Sequence, residues 1–147
     1  MGGEQIAERE ELSFEDWKGL REVHRRVAFL PFCEQIKGYM EYWQWDATDF
    51  ICETGLLRSR HSEIIHGKTS AMLREHIMAL CKGLRLTLRQ ADDVFHSARL
   101  ALSESEDEHS LYLLEVNPGW SLEDSNAFLE EEGQAGLGSK PKQKARF

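Results

Sequence analysis

Apolar residues recur along this chain at helical spacing, and capping signals divide the pattern into segments. The first segment opens at Ser13, whose hydroxyl can accept from the backbone N–H of Asp16, with Leu12 and Trp17 at the two staple positions flanking the cap. Trp17, Leu20, His24, Val27 and Ala28 then share one face. Pro31 closes the helix, because the residue before a proline is pushed out of helical geometry. Phe32, Ile36, Tyr39, Met40, Trp43, Ala47, Phe50 and Ile51 keep the i, i+3, i+4, i+7 rhythm across residues 32–51. That stripe predicts one long helix of about 35 Å at 1.5 Å per residue, ended by Gly55.

The pattern then loosens. Leu56/Leu57 and Ile64/Ile65 form apolar pairs, and a helix continued through Gly67 would put Ile64 and Leu73 on opposite sides, so a break is expected at His66–Lys68. A further helix is expected from Thr69 or Ser70 to Lys82, with Leu73, Ile77, Leu80 and Cys81 inward and Lys82-Gly83 as its end on both charge and cap grounds. Met72 and Ala79 lie on its other side, which predicts cover on two faces. Thr87-Leu88-Arg89-Gln90 is a capping box, and Leu88, Ala91, Val94, Phe95, Ala98 and Leu102 form the stripe behind it. The run from Ser103 to Ser110 reads as exposed. Leu111 to Val116 is a short apolar block, helix or strand, closed by the turn Asn117-Pro118-Gly119. Ser121 caps a short acidic helix from Leu122 to about Glu131, with Trp120, Leu122, Phe128 and Leu129 free to dock. The fold class that follows is all-α: an irregular bundle of four to five helices with a short C-terminal acidic helix. Residues 1–11 are expected as a disordered lead, 12–132 as a single helical domain, and 133–147 as a flexible basic tail.

Composition narrows the class. A chain of 147 residues, 41% hydrophobic and 30% charged, has the size and composition of one folded domain. No apolar run approaches the roughly 20 residues that cross a bilayer, and the acidic start from Met1 to Glu11 lacks the apolar stretch of a secretory signal. Cys33, Cys52 and Cys81 include no Cys-x-x-Cys pair, so reduced thiols in an intracellular protein, cytoplasmic or nuclear, are expected. The net charge of −8 is concentrated rather than spread. Residues 104–132 carry ten acids and no Lys or Arg, while Lys140, Lys142, Lys144 and Arg146 crowd the last eight positions. An acidic chain without a basic run interleaved with aromatics does not suit nucleic acid.

Candidate chemistry is sparse. His66-Gly67-Lys68-Thr69 resembles the end of a phosphate-binding loop, but Ser62 stands where that loop needs its first glycine. Glu63-Ile64-Ile65-His66 and Glu106-Asp107-Glu108-His109 both have the Glu-x-x-His spacing of four-helix di-iron carboxylate proteins. Asp46, Asp49 and Glu53 recur at i, i+3 and i+7, a stripe able to hold magnesium and equally able to be a solvated flank. A metal-dependent enzyme using Glu63, His66, Asp46, Asp49 and Glu53 is therefore the alternative reading. The leading one is a non-enzymatic, adaptor-like protein-interaction module without a cofactor. Trp45, which the wheel of a continuous helix places opposite Phe50 beside Glu41, and Trp120 with Phe128 are its candidate contacts. Expected partners are proteins, basic ones among them, or a second copy of the chain. The apolar residues of 104–132 predict that this segment packs back on the domain, its acids facing Arg21, Arg25, Arg26, Arg58 and Arg60 or a competing basic partner.

Overall fold

The computed structural model describes residues 11–68 and 72–138, and among them it contains eight α-helices and no strand. The helices are α1 (Phe14–Val27), α2 (Phe32–Trp43), α3 (Ala47–Thr54), α4 (Arg58–Ile65), α5 (Arg74–Gly83), α6 (Leu88–Ser97), α7 (Glu108–Glu115) and α8 (Leu122–Glu131). The all-α expectation holds; the number of helices is larger because the one long element is two helices and the segments around Arg58–Ile65 and Glu108–Glu115 form helices of their own. None is long and apolar enough to cross a membrane. The expected disordered lead up to Glu10, the helix start at Thr69 or Ser70, and the basic residues beyond Gly138 lie outside the described residues.

The largest departure from the sequence pattern is at Gln44. The apolar stripe of residues 32–51 does not belong to one helix: Gln44 takes a left-handed conformation (φ 59°) and ends α2. Its N–H bonds Glu41 O at 3.1 Å and the Trp45 N–H bonds Met40 O at 3.0 Å, the paired closing bonds of a Schellman stop. Asp46 then starts α3: its carboxylate accepts from the Asp49 N–H (2.8 Å) while the Asp49 carboxylate accepts from the Asp46 N–H (2.9 Å). The reciprocal cap satisfies two amides that the helix start leaves without partners. Asp46 and Asp49 are thus engaged in capping a helix start, and Glu53, one turn beyond Asp49 in the same helix, pairs with Arg85 at 3.3 Å.

The remaining boundaries follow their signals. Ser13, Thr87 and Ser121 cap α1, α6 and α8 through their hydroxyls, and Gln90 completes the box at Thr87. Residues 111–116 resolve as helix, all but Val116 lying within α7. Lys82-Gly83 ends α5 as expected, but for another reason. A Cβ at Gly83 would meet the Glu53 carbonyl at 2.6 Å, so glycine lets α5 approach the end of α3, and the left-handed residue is Arg85 (φ 60°).

Two hubs organise the core. α2 packs on α1, α4 and α6; α5 packs on α3, α6, α7 and α8. Leu20, Val23 and Val27 are the buried face of α1, and Phe32, Ile36, Tyr39 and Met40 that of α2. Every residue from Ile77 to Leu84 is buried, which bears out cover of α5 on two faces. Leu73, expected inward, is exposed because it precedes the helix. Leu113, Leu114, Leu122 and Leu129 are buried, so the acidic C-terminal segment does dock through its apolar residues. Residues at the head of the expected tail also pack: the Asn126 side chain accepts from Leu137 N–H (2.7 Å) and donates to Leu137 O (3.1 Å).

Candidate functional site

α1 starts at Ser13, so Phe14 falls just inside the helix and out of phase with its buried face. Phe14 is 66% exposed, and Trp17, expected on the inner face, is 38% exposed at its margin. Their rings stack at 6.0 Å with 14° between planes. Two cations of the same helix attend them, Lys18 over the Phe14 ring and Arg21 over the Trp17 ring, each 4.7 Å from the centroid.

Opposite this pair, the turn between α7 and α8 brings Val116, Pro118 and Trp120 up to Leu12, and together they line a groove of about 490 Å³. Gly119 makes the approach feasible: a Cβ there would collide with the backbone of Glu11 and Leu12. Trp120 continues into a cluster centred on Phe128, edge-on to it at 6.2 Å, with Tyr112 at 5.2 Å and His109 at 6.1 Å. Val116 is 58% exposed and Tyr112 is exposed as well. Trp120 and Phe128 are therefore neighbours on one surface, as the sequence singled them out; Phe14, Trp17 and Val116 are the members that sequence phase did not reveal.

Electrostatics sets this surface apart. Glu115 at the end of α7, Glu123, Glu130 and Glu131 of α8 and Glu132 just after it are exposed. Within residues 104–132 no Lys or Arg is available to neutralise them. Among the described residues the segment's ion pairs are Asp107 with Arg74 and Glu132 with His109. Of the five arginines expected to face it, Arg25 pairs with Glu22 and Arg60 with Glu63, while Arg21 lies over the Trp17 ring at the edge of the groove. What crosses from the domain body is the Lys82 ammonium, buried in α5, which donates to Asn117 O (2.7 Å) and Pro118 O (3.1 Å), and Arg85, which donates to Gly119 O (2.9 Å). On the α1 side, Tyr42 donates its hydroxyl to Asp16 at 2.6 Å; burial and the carboxylate push the phenol up to about 12.

The other expected contacts lie apart from this surface. Breaking the helix at Gln44 turns Trp45 toward Phe50, edge-on at 6.5 Å, and packs it half-buried against the core. It lines a separate cleft of about 240 Å³ with Trp43, Glu53, Gly83 and Arg85, while Glu41 is exposed at the end of α2. The residues of the alternative metal reading are each engaged otherwise. Asp46 and Asp49 cap α3, Glu53 pairs with Arg85 (3.3 Å), Glu63 pairs with Arg60 (3.1 Å), and the His66 ring sits 2.8 Å from the Ser62 carbonyl. None of the five belongs to a group of three converging donors among the described residues. Compared with protein-family models, curated proteins and solved structures, the chain matches none of them.

Proposed function

We propose that the chain is a non-enzymatic protein-interaction module that receives a basic, apolar-anchored segment of a partner on the surface of α7, α8 and the start of α1. The supporting observation is the juxtaposition of Phe14, Trp17, Val116 and Trp120 around one groove whose far wall belongs to a segment, residues 104–132, with ten acids and no Lys or Arg of its own. Rigid aromatics at the centre supply apolar contact, and the acids of α7 and α8 select a partner of opposite charge and speed encounter.

The test is selection from a displayed random-peptide library against the wild-type chain, with Phe14→Ser/Val116→Ser as the counter-target. Both positions are well exposed, so the double variant keeps its fold. The reading expects enriched peptides that are basic, carry apolar anchors, lose affinity with added salt and fail to bind the variant. Enrichment of acidic peptides, or of peptides that bind both targets equally, would overturn it.

A further inference from the structure

A second feature, farther along α1 where it faces α6, falls outside that reading. α1 and α6 enclose a groove of about 750 Å³ lined in part by His24, Asp92 and Asp93, and each of these aspartates has a histidine partner. His24 of α1 places Nε2 at 2.6 Å from an oxygen of Asp93, a residue far along the chain in α6. Four residues apart on α6, Asp92 and His96 pair at 3.7 Å between carboxylate and Nδ1. Asp92, Asp93 and His96 each offer a donor atom, and these atoms all lie within 4.8 Å of one another.

We propose that Asp92, Asp93 and His96 bind a zinc-class divalent cation, with His24 as the positioning residue that holds the Asp93 carboxylate. The spacing is what such a site needs. Residues i and i+4 stand one above the other on a helix, so Asp92 and His96 form a clip, and Asp93 joins from the adjacent position. Donors around a tetrahedral zinc stand roughly 3–3.5 Å apart at bond lengths of about 2.0–2.2 Å. Asp92 and His96 are solvent-accessible side chains with rotamers free to close that gap.

Charge and ligand type agree. Two carboxylates and neutral imidazole match a 2+ ion, and an imidazole donor favours zinc, nickel or copper over magnesium, which prefers oxygen and water. The hydrogen bond from His24 fixes a ligating carboxylate, the role that outer partners play in metal sites. The α1 arginines on the groove have other partners, Arg25 bonding Glu22 at 2.6 Å and Arg21 lying over Trp17, so their charges are engaged away from the cluster. Three protein ligands leave a coordination position open, available to water or to a donor from outside.

The experiment is calorimetric titration of zinc chloride into the metal-stripped full chain, comparing wild type with His96→Gln, Asp92→Asn and the control His66→Gln. His96 and Asp92 reach solvent, so these variants test binding rather than folding; circular dichroism verifies it. One saturable equivalent is expected, weakened by about tenfold or more in His96→Gln and Asp92→Asn, retained in His66→Gln and not displaced by magnesium. The His96 ring nitrogen resonances should shift at the same stoichiometry. Absence of a saturable equivalent, or one unchanged by both substitutions, overturns the proposal. Because no peptide enters the measurement, its failure leaves the interaction surface untouched, and the converse holds.

Discussion

Lys82 Nζ lies 2.7 Å from the carbonyl oxygen of Asn117, inside the seam between α5 and the α7–α8 turn. The ammonium also reaches Pro118 O and, at 3.5 Å, Leu113 O, so one side chain closes the end of α7 and the turn after it. Removing the donor while keeping the volume, Lys82→Met, leaves those carbonyls without it and is expected to destabilise by about 1–3 kcal/mol, read from urea midpoints.

The same lysine makes stability pH-dependent. Burial, reinforced by the Arg85 charge, lowers its pKa from 10.5 to about 7. Between those values the unfolded chain holds more protons than the folded one, so the Lys82 contribution rises with pH from about 7 to about 10.5. Comparing wild type with Lys82→Met at pH 7 and pH 9 isolates it. The wild type should gain stability relative to the variant at the higher pH; no relative gain would mean the ammonium keeps its proton there.

Truncation after Ser103 tests the C-terminal segment. It removes buried Leu113, Leu114, Leu122 and Leu129 and strips Lys82 of its carbonyl partners. The shortened chain is expected to lose cooperative unfolding or to associate through the bared face of α5. A monomer that melts like the full chain would show that α7 and α8 add nothing to the fold.

Phe50→Ala is expected to cost roughly 3–5 kcal/mol, since Phe50 is fully buried with Trp45 and His61 edge-on to its ring. Trp45→Ala should cost about 1–3 kcal/mol for the same contact. A Trp45 variant with a wild-type urea midpoint would return that residue to the surface.

At the helix junction, Asp46→Ala should lower the urea midpoint whereas Asp46→Asn, which keeps a capping oxygen, should not. Backbone hydrogen bonds, that from the Asp49 N–H first, hold the Asp46 carboxyl below its usual 3.8. Its stabilising share is therefore present above about pH 4 and lost as pH falls through the folded value, a decline that acid titration of Asp46→Ala should lack.

What the sequence made legible were the local devices. The Thr87/Gln90 box and the caps at Ser13 and Ser121 act within three residues, so residue types at fixed spacing suffice to find them. The stop at Gln44 was hidden because the apolar residues on both sides stay in helical phase, and glutamine rarely takes a left-handed conformation. Asp46 and Asp49 had two meanings at one spacing, and the capping role became visible only once a helix was seen to start at Ala47. Lys82 illustrates the opposite limit. Beside Gly83 it reads as an exposed end charge, while the carbonyls that bury it come from residues 113–118. The His24–Asp93 pair joins separate helices and no periodicity announces it. Trp120 and Phe128 were visible as surplus aromatics, but their neighbours Phe14 and Trp17 come from the other end of the chain.

Gly119 carries a consequence for the order of assembly. Its missing side chain lets the strand of backbone at Glu11–Leu12 lie against the α7–α8 turn, a contact that closes a loop over most of the sequence. Such a loop forms late, because its entropy must be given up before the contact returns anything. α1 can find α2 as soon as both exist, yet the groove beside Phe14 has no far wall until α7 and its turn have emerged and docked. During synthesis on the ribosome, then, the helices that read most plainly from the sequence would be in place well before the proposed binding surface exists, and a nascent chain halted before Gly119 would be folded in part and without the groove's far wall.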